Sequence, residues 1–375
     1  MISKTLGLYV HIPFCRQKCH YCDFCSFADT SPELRQAYVT RLCDEIRTAS
    51  RRAGEYTVDT VYIGGGTPTV LDEEQLLAIG KVIRENYRLS SDVEFTVEAN
   101  PKTVTPDKIR ALREIGANRL SLGLQSIHEK EQKILGRIHN YEDFLESYRM
   151  AREGGFNNIS VDLMYAIPHQ TPDSFRKSID AVLALRPEHI SAYSLILEEG
   201  TPFFRMQQSL DLPDEDTELL MHRLLCERMR ESGYEHYEIS NFARDGRYSR
   251  HNLRYWSLSP YLGFGLGAHS YFEGERYFVP ADMDAYLHTD GAYYECERTK
   301  DLSEDAYEYA MLRLRLSDGI SLSDYRARFG ADFLHGREDA VSRFIERGLM
   351  LRADDRLALS EEGMLVSLFI LGELL

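Results

Sequence analysis

The sequence predicts an α/β protein, a (β/α)6 partial barrel followed by a mostly helical C-terminal domain. Three observations carry that prediction. Strand-like and helix-like segments alternate up to a sixth strand near residue 197, and such alternation implies a parallel sheet with right-handed crossovers. Cys15, Gly65, Glu98, Gln125, Asp162 and Tyr193 fall near or just after the ends of the predicted strands. Ligand-binding groups occupy those positions at a barrel mouth. Beyond residue 197 the alternation stops, and from Ser303 onward the pattern is mostly helical.

The elements follow in order. Residues 6–11 read as the first strand, and 32–49 as a helix with Ser31 as its N-cap. Residues 60–63 form the second strand, ahead of Gly64-Gly65-Gly66. Helix 73–86, capped by Asp72, leads to strand 94–99. Helix 105–115 precedes strand 119–124, and helix 141–153 precedes strand 159–164. Helix 174–185 leads to the sixth strand, 190–197. Glu198-Glu199-Gly200-Thr201-Pro202 is a break. Helix 215–231 follows, then a short strand at 234–241 and an irregular region. Helices 321–329 and 337–347 and a hairpin of 348–351 with 357–359 suggest a winged-helix-like end. The expected domains are 1–200, 201–300 and 301–375.

Composition bounds the function. A 375-residue chain is long enough for two or three domains, and 43% hydrophobic residues suffice for a sizeable core. No run of about 18 apolar residues is present, so no transmembrane helix is expected. Met1-Ile2-Ser3-Lys4 runs into strand-like sequence without the charged and apolar regions of a signal peptide. Seven cysteines without such a signal point to a reducing, cytoplasmic compartment. The net charge of −16 argues against broad nucleic-acid binding, which depends on neutralising phosphates. Arg16 and Lys18 are either a docking point for an acidic electron donor or two solvated charges.

The most specific motif is Cys15-x-x-x-Cys19-x-x-Cys22. Iron–sulfur clusters are held by cysteine thiolates, and three local thiolates leave one iron of a [4Fe–4S] cube open to a small molecule. The alternative is zinc, which usually takes four protein ligands, often as two separated C-x-x-C pairs. Cys43, Cys226 and Cys296 are scattered, while Cys25 forms a C-x-x-C pair with Cys22 and is a candidate fourth sulfur. The cluster is the favoured reading, with Cys25 a spare packed thiol. Gly64-Gly65-Gly66-Thr67-Pro68 follows a strand and lets backbone approach a ligand closely. It lacks the G-K-[S/T] of a phosphate-binding Walker loop.

The cysteine run resembles that of the radical S-adenosylmethionine (SAM) superfamily, in which the open iron is chelated by SAM. Across nearly the whole chain the sequence resembles the oxygen-independent coproporphyrinogen III dehydrogenases (HemN) and their HemW relatives. The anchors are residues 11–15, 62–68, 98–101, 121–126, 135–137 and 162–165. The resemblance implies that Tyr9, Tyr21, Phe24, Gly65, Gly66, Thr67, Glu98, Gln125, Arg137, Asp162 and Ile196 contact SAM or lie beside it. Glu98 and Asp162 suit ribose hydroxyls or the sulfonium, and Arg137 suits the methionine carboxylate. Each also has a structural alternative. Glu98 and Asp162 can cap turns, Gln125 can be a buried hydrogen-bonding residue, Arg137 a surface ion pair, and Tyr9 and Tyr21 simple packing.

Two departures from HemN direct the functional expectation. Only 14 residues precede Cys15, too few for the longer N-terminal arm of HemN, and Phe24 stands where HemN has a fourth cysteine. The run His251-Asn252-Leu253-Arg254-Tyr255-Trp256 resembles the H-N-x-x-Y-W motif of the HemW branch, where the histidine is tied to haem. Imidazole is a standard axial ligand of haem iron, and His269 is a second candidate. The resemblance therefore implies a haem chaperone carrying a [4Fe–4S] cluster and SAM. It would take electrons from a low-potential donor such as flavodoxin or ferredoxin and deliver haem to an acceptor protein. The alternatives are coproporphyrinogen III dehydrogenation and a radical SAM reaction on an unrelated substrate.

Overall fold

Six strands make the centre of the molecule because each alternates an apolar face with a polar one. They are β1 (Lys4–Ile12), β2 (Tyr56–Gly65), β3 (Leu89–Ala99), β4 (Arg119–Gln125), β5 (Ile159–Tyr165) and β6 (His189–Ser194). They pair in parallel in sequence order. Val10, Val61, Val97, Leu122, Val161 and Ile190 point to one face, are fully buried and share one core. Side chains of opposite parity point to the other face. That face carries Tyr9, Tyr62, Glu98, Arg119, Ser121, Asp162, His189 and Tyr193. This computed structural model describes residues 4–28, 30–289 and 291–375. Met1-Ile2-Ser3, used above in the leader argument, lie outside the described residues.

The crossover helices cover the apolar face, and side-chain caps fix where they begin. Ser31, Asp72, Thr105, Asn140 and Thr171 start α1 (Pro32–Ala49), α2 (Glu73–Asn86), α3 (Pro106–Glu114), α5 (Tyr141–Glu153) and α6 (Pro172–Leu185). Each cap oxygen accepts from a backbone N–H of the first turn, satisfying a donor the helix leaves free. A short helix, α4 (Glu129–Ile134), precedes α5. Sequence periodicity gave no sign of α4, since six residues are less than two turns.

The segment after β6 departs most from expectation. The sixth strand ends at Ser194 rather than 197. A short helix, α7 (Pro202–Met206), and the longer α8 (Glu215–Glu231) follow it. The single strand expected at 234–241 is an antiparallel pair, β7 (Glu235–Glu238) and β8 (Asn241–Ala243). The region read as irregular contains helix α9 (Arg250–Trp256) and strands β9 (Tyr261–Phe264), β10 (His269–Phe272) and β11 (Glu275–Phe278). After α10 (Met283–His288) comes β12 (Glu295–Arg298). These strands are three or four residues long and carry little periodicity, and sheet pairing rather than propensity makes them strands.

The result is a twelve-stranded sheet in the order β12-β11-β10-β9-β1-β2-β3-β4-β5-β6-β8-β7. β9 pairs with β1 in parallel, while β8 pairs antiparallel with β6. The sheet is open, as a partial barrel requires. The chain crosses from β8 beside β6 to β9 beside β1, and α9 spans that crossing.

A second core lies in the C-terminal region, where α11 (Leu302–Arg313), α12 (Leu322–Phe329) and α13 (Glu338–Glu346) pack. The expected hairpin forms from β14 (Met350–Ala353) and β15 (Arg356–Leu359), joined by the two-residue β13 (Ile320–Ser321). Helices α14 (Glu361–Leu365) and α15 (Ser367–Leu374) complete the region.

Candidate functional site

The cysteine loop leaves β1 and is closed at its base. Cys15 N donates to Phe27 O at 3.0 Å and Phe27 N to Pro13 O at 2.7 Å. Its tip is clamped to the end of α4. His20 N donates to Leu135 O (3.0 Å), His20 Nδ1 pairs with Ile134 O (2.8 Å), and Gln17 Nε2 donates to Gly136 O (2.8 Å). Gly136 has φ +77°, and a Cβ there would lie 3.0 Å from the His20 ring. That left-handed turn sends Arg137 back toward the cysteines. It donates to Cys19 Sγ (3.6 Å), Asn100 Oδ1 (2.8 Å) and Gly123 O (2.8 Å). Arg137 is therefore no surface ion pair.

The thiols are partly buried, and Cys15 Sγ lies 3.6 Å from Thr67 Oγ1. Burial pushes the Cys22 thiol up to about 11 and raises Cys15 as well. Burial thus favours the protonated thiols, and a bound metal would favour the thiolates. Cys25 contributes its carbonyl, which lies 2.7 Å from His11 Nε2, and His11 Nδ1 lies 2.9 Å from Tyr9 OH. Behind the loop, Gly66 N donates to Ile12 O and Thr67 N to Phe14 O. A Cβ on Gly66 would meet Ile12 O and Phe14 O at 2.8 Å, so only glycine permits this approach.

Beside the loop opens a cavity of about 420 Å³, within the size range of small-molecule sites. Tyr21, Cys22, Phe24, Glu98, Asp162 and Ile196 line it, together with Tyr62, Arg119, His189, Tyr193 and Asn252. Phe24 and Ile196 are 61% and 65% exposed at its mouth. Cys19, Thr67 and Arg137 face an adjoining cleft with Asn100 and His139. Tyr9, Gly65, Gln125 and His251 stand behind these walls. Tyr62 OH donates to Glu98 Oε1 at 2.6 Å and Gly65 N to Glu98 Oε2 at 3.0 Å. Burial nevertheless raises the Glu98 carboxyl above its usual range. Burial, then repulsion from Glu98, pushes Asp162 up to about 7. Buried carboxyls with raised pKa values in a cleft mark a functional site.

The residues present fit a cluster with SAM. Gln125 Oε1 and Arg137 Nε are buried without a hydrogen-bond partner, and a bound polar ligand is what such atoms lack. Three thiols on one clamped loop stand beside them. They are the residues that would hold three irons of the cluster.

The H-N-x-x-Y-W run is α9. Ser249 caps it, and Glu94 accepts from the backbone N–H groups of Arg250 (3.2 Å) and His251 (3.1 Å). His251 is 1% exposed. Its Nδ1 lies 3.0 Å from Thr60 Oγ1 and its Nε2 2.9 Å from Tyr255 OH, while its ring stacks on Tyr62. Burial pushes its pKa down to about 3, so the ring is neutral. Asn252 is the motif member that lines the cavity. Trp256 packs beneath the Arg315 guanidinium, 4.9 Å away. His269 is half exposed on β10 beside Glu297. Lys18 donates to Phe24 O, so it is tied to the loop rather than free.

Residues 9–182 match the radical SAM superfamily model, and residues 301–366 match the HemN C-terminal domain. Over 373 residues the chain is 36% identical to the haem chaperone HemW of Bacillus subtilis (strain 168), covering 98% of each chain. The chain belongs to the HemW family. HemW of Escherichia coli (strain K12) is 31% identical over 365 residues, covering 96% of this chain and 95% of its own. The solved structure of Escherichia coli coproporphyrinogen III oxidase (HemN), described as a radical SAM enzyme, superposes with a TM-score of 0.86. It covers 99% of this chain and 90% of its own at 23% identity, which establishes the shared fold.

Sequence reasoning gave no role to several residues that shape this HemW-family site. Tyr62 and Asn100 fell within quoted motifs, and their strand-end positions were the available signal. Arg119 and His189 gave none, because each opens a strand at the bottom of the sheet. Arg254 was quoted without a role. It ion-pairs with Asp59 and donates to Thr60 Oγ1 (3.0 Å) and Pro260 O (3.0 Å), locking α9 onto β2. Arg254 is 6% exposed, and removing one partner of a buried pair leaves the other uncompensated. Arg254→Met is expected to lower stability by about 3 kcal/mol, read as a reduced midpoint in urea unfolding. An unchanged midpoint contradicts the lock.

Proposed function

We propose that this protein is a cytoplasmic haem chaperone that binds haem and passes it to an acceptor protein. The near full-length identity to HemW relatives supports the reading, and the observation that carries it is the H-N-x-x-Y-W helix. Its Asn252 lines the cavity and its His251 stacks behind the cavity wall. In this reading residues 1–200 hold the cofactors, 201–300 carry the haem-linked motif, and 301–375 form the C-terminal domain.

Cys15, Cys19 and Cys22 hold a [4Fe–4S] cluster. Arg137, Glu98, Asp162, Gln125, Gly65, Gly66 and Thr67 hold SAM, with Tyr9, Tyr21, Phe24 and Ile196 beside it. When bound, the pair supplies one-electron reductive chemistry, with electrons from a flavodoxin- or ferredoxin-like donor. The chain's own residues orient and shield it. Arg137 presents its unpartnered Nε, Glu98 and Asp162 present carboxylates, and the Tyr62–His251 stack closes the wall against water.

His251 is the haem-linked residue, and its surroundings set a condition. Both ring nitrogens are engaged, so iron ligation at Nε2 requires Tyr255 to release it. Tyr255→Phe removes that competing hydroxyl and is expected to tighten haem binding about threefold to tenfold, since a net hydrogen bond contributes about 1 kcal/mol. Haem titration monitored by absorbance reads this. Weaker binding in Tyr255→Phe contradicts ligation at His251.

The test against dehydrogenation is anaerobic incubation of the reduced, cluster-loaded protein with SAM and coproporphyrinogen III. No porphyrinogen-dependent release of CO2 is expected. Stoichiometric or catalytic release overturns the chaperone reading.

A further inference from the structure

Arg119 opens β4, is 2% exposed and faces the cavity, and its Nε is buried without a hydrogen-bond partner. Strand register fixes its neighbours. Arg119 and Ser121 lie on one face of β4, with Thr96 opposite Arg119 and Glu98 opposite Ser121 on β3. On the other side Ser121 pairs with Ser160 and Gly123 with Asp162. Ser121 Oγ donates to Asp162 Oδ1 at 3.3 Å. Arg119 therefore sits one same-face step below Glu98, at diagonal spacing, and two steps below Asp162, and all three side chains line one cavity. The hydrogen bonds of those carboxylates go to Tyr62, Gly65 and Ser121.

A buried guanidinium is costly alone, and so are two buried carboxylates in one cavity. Placed together they offset one another. Arg137 also faces Asp162, but it is engaged with Cys19, Asn100 and Gly123. His189 faces the same space from β6, and His251 on α9 stands behind its wall. Burial lowers both pKa values and leaves the rings neutral. Tyr62 and Tyr193 are neutral too, their hydroxyl pKa values raised by burial.

We propose that Arg119 is a positioning residue, the counter-charge that favours the ionised forms of Glu98 and Asp162 as acceptors for ligand hydroxyls. The role rests on the SAM reading and deepens it. Arg119 acts through space, leaving carboxylate lone pairs free for the ligand. Asp162, at about 7 with this cation in place, is half ionised near neutrality. Removing the cation moves the ionised form to higher pH.

The test uses cluster-loaded protein under anaerobic conditions, with Arg119→Met and Arg119→Lys. Infrared difference titration follows the protonated carboxyl band that Asp162→Asn deletes. The midpoint is expected to rise by about one pH unit or more in Arg119→Met and to return close to wild type in Arg119→Lys. Arg119→Gln serves as the neutral variant should Arg119→Met not fold. Equilibrium dialysis of SAM against pH is the second readout. A shift of one unit makes binding at pH 7 about fivefold weaker, recovering by about pH 9. A folded neutral variant with the wild-type midpoint and pH profile overturns the proposal. If the midpoint moves but wild type retains no SAM at any pH, the counter-charge role stands and the SAM reading fails.

Discussion

Cys15→Ala, Cys19→Ala and Cys22→Ala are each expected to lose the proposed cluster. After anaerobic reconstitution and desalting, wild type is expected to hold about four irons per chain, and each variant below about one. Visible charge-transfer absorption disappears with the iron. The reason lies in the loop. Its base is pinned by Cys15 N and Phe27 N and its tip by His20 and Gln17 to the end of α4. The loop that carries the three sulfurs is thus pinned at both ends, and in the proposed site two sulfurs would not retain the cube. Cys25→Ala is expected to keep its iron, because Cys25 acts through its carbonyl on His11. Loss of iron in Cys25→Ala, with metal analysis showing one zinc per wild-type chain, contradicts the cluster.

Arg137→Ala carries the second large effect. Its guanidinium bridges the cysteine loop, the turn after β3 and the middle of β4 through Cys19, Asn100 and Gly123. Its Nε is buried and unpartnered, a donor that the proposed ligand carboxylate would satisfy. Charge-assisted hydrogen bonds are roughly twice as strong as neutral ones, and the bridge is lost with them. SAM affinity of the cluster-loaded protein is expected to fall about 100-fold in Arg137→Ala, equivalent to about 2.7 kcal/mol. Arg137→Lys does not restore it, because a single ammonium cannot occupy the forked geometry. Equilibrium dialysis with labelled SAM reads both. Wild-type affinity in Arg137→Ala contradicts the assignment of this side chain.

The six parallel strands were legible because each alternates apolar and polar residues at period two, as in Leu120-Ser121-Leu122 and Ile159-Ser160-Val161. Capped helices were legible for a similarly local reason, and α1, α2, α5 and α8 begin and end where the sequence placed them. The strands β9 to β12 were not, since segments of four residues become strands only through pairing with a sheet the sequence does not display. The same divide runs through the site. Cys15, Cys19 and Cys22 declare themselves by spacing, and Glu98 and Asp162 by their places late in strands. Arg119 lies at the start of a strand and acquires meaning only from the register that sets it beneath Glu98 and Asp162. His251 was legible as a motif member. Its burial between Thr60, Tyr62 and Tyr255 arises from a contact across about 190 residues.

Haem binding by this chain is read most directly by an anaerobic haem titration of the reconstituted protein, followed by absorbance, beside His251→Ala. Saturation near one haem per chain, lost or strongly altered in His251→Ala, is the predicted result. Weak, non-saturating binding that is equal in both proteins contradicts the account.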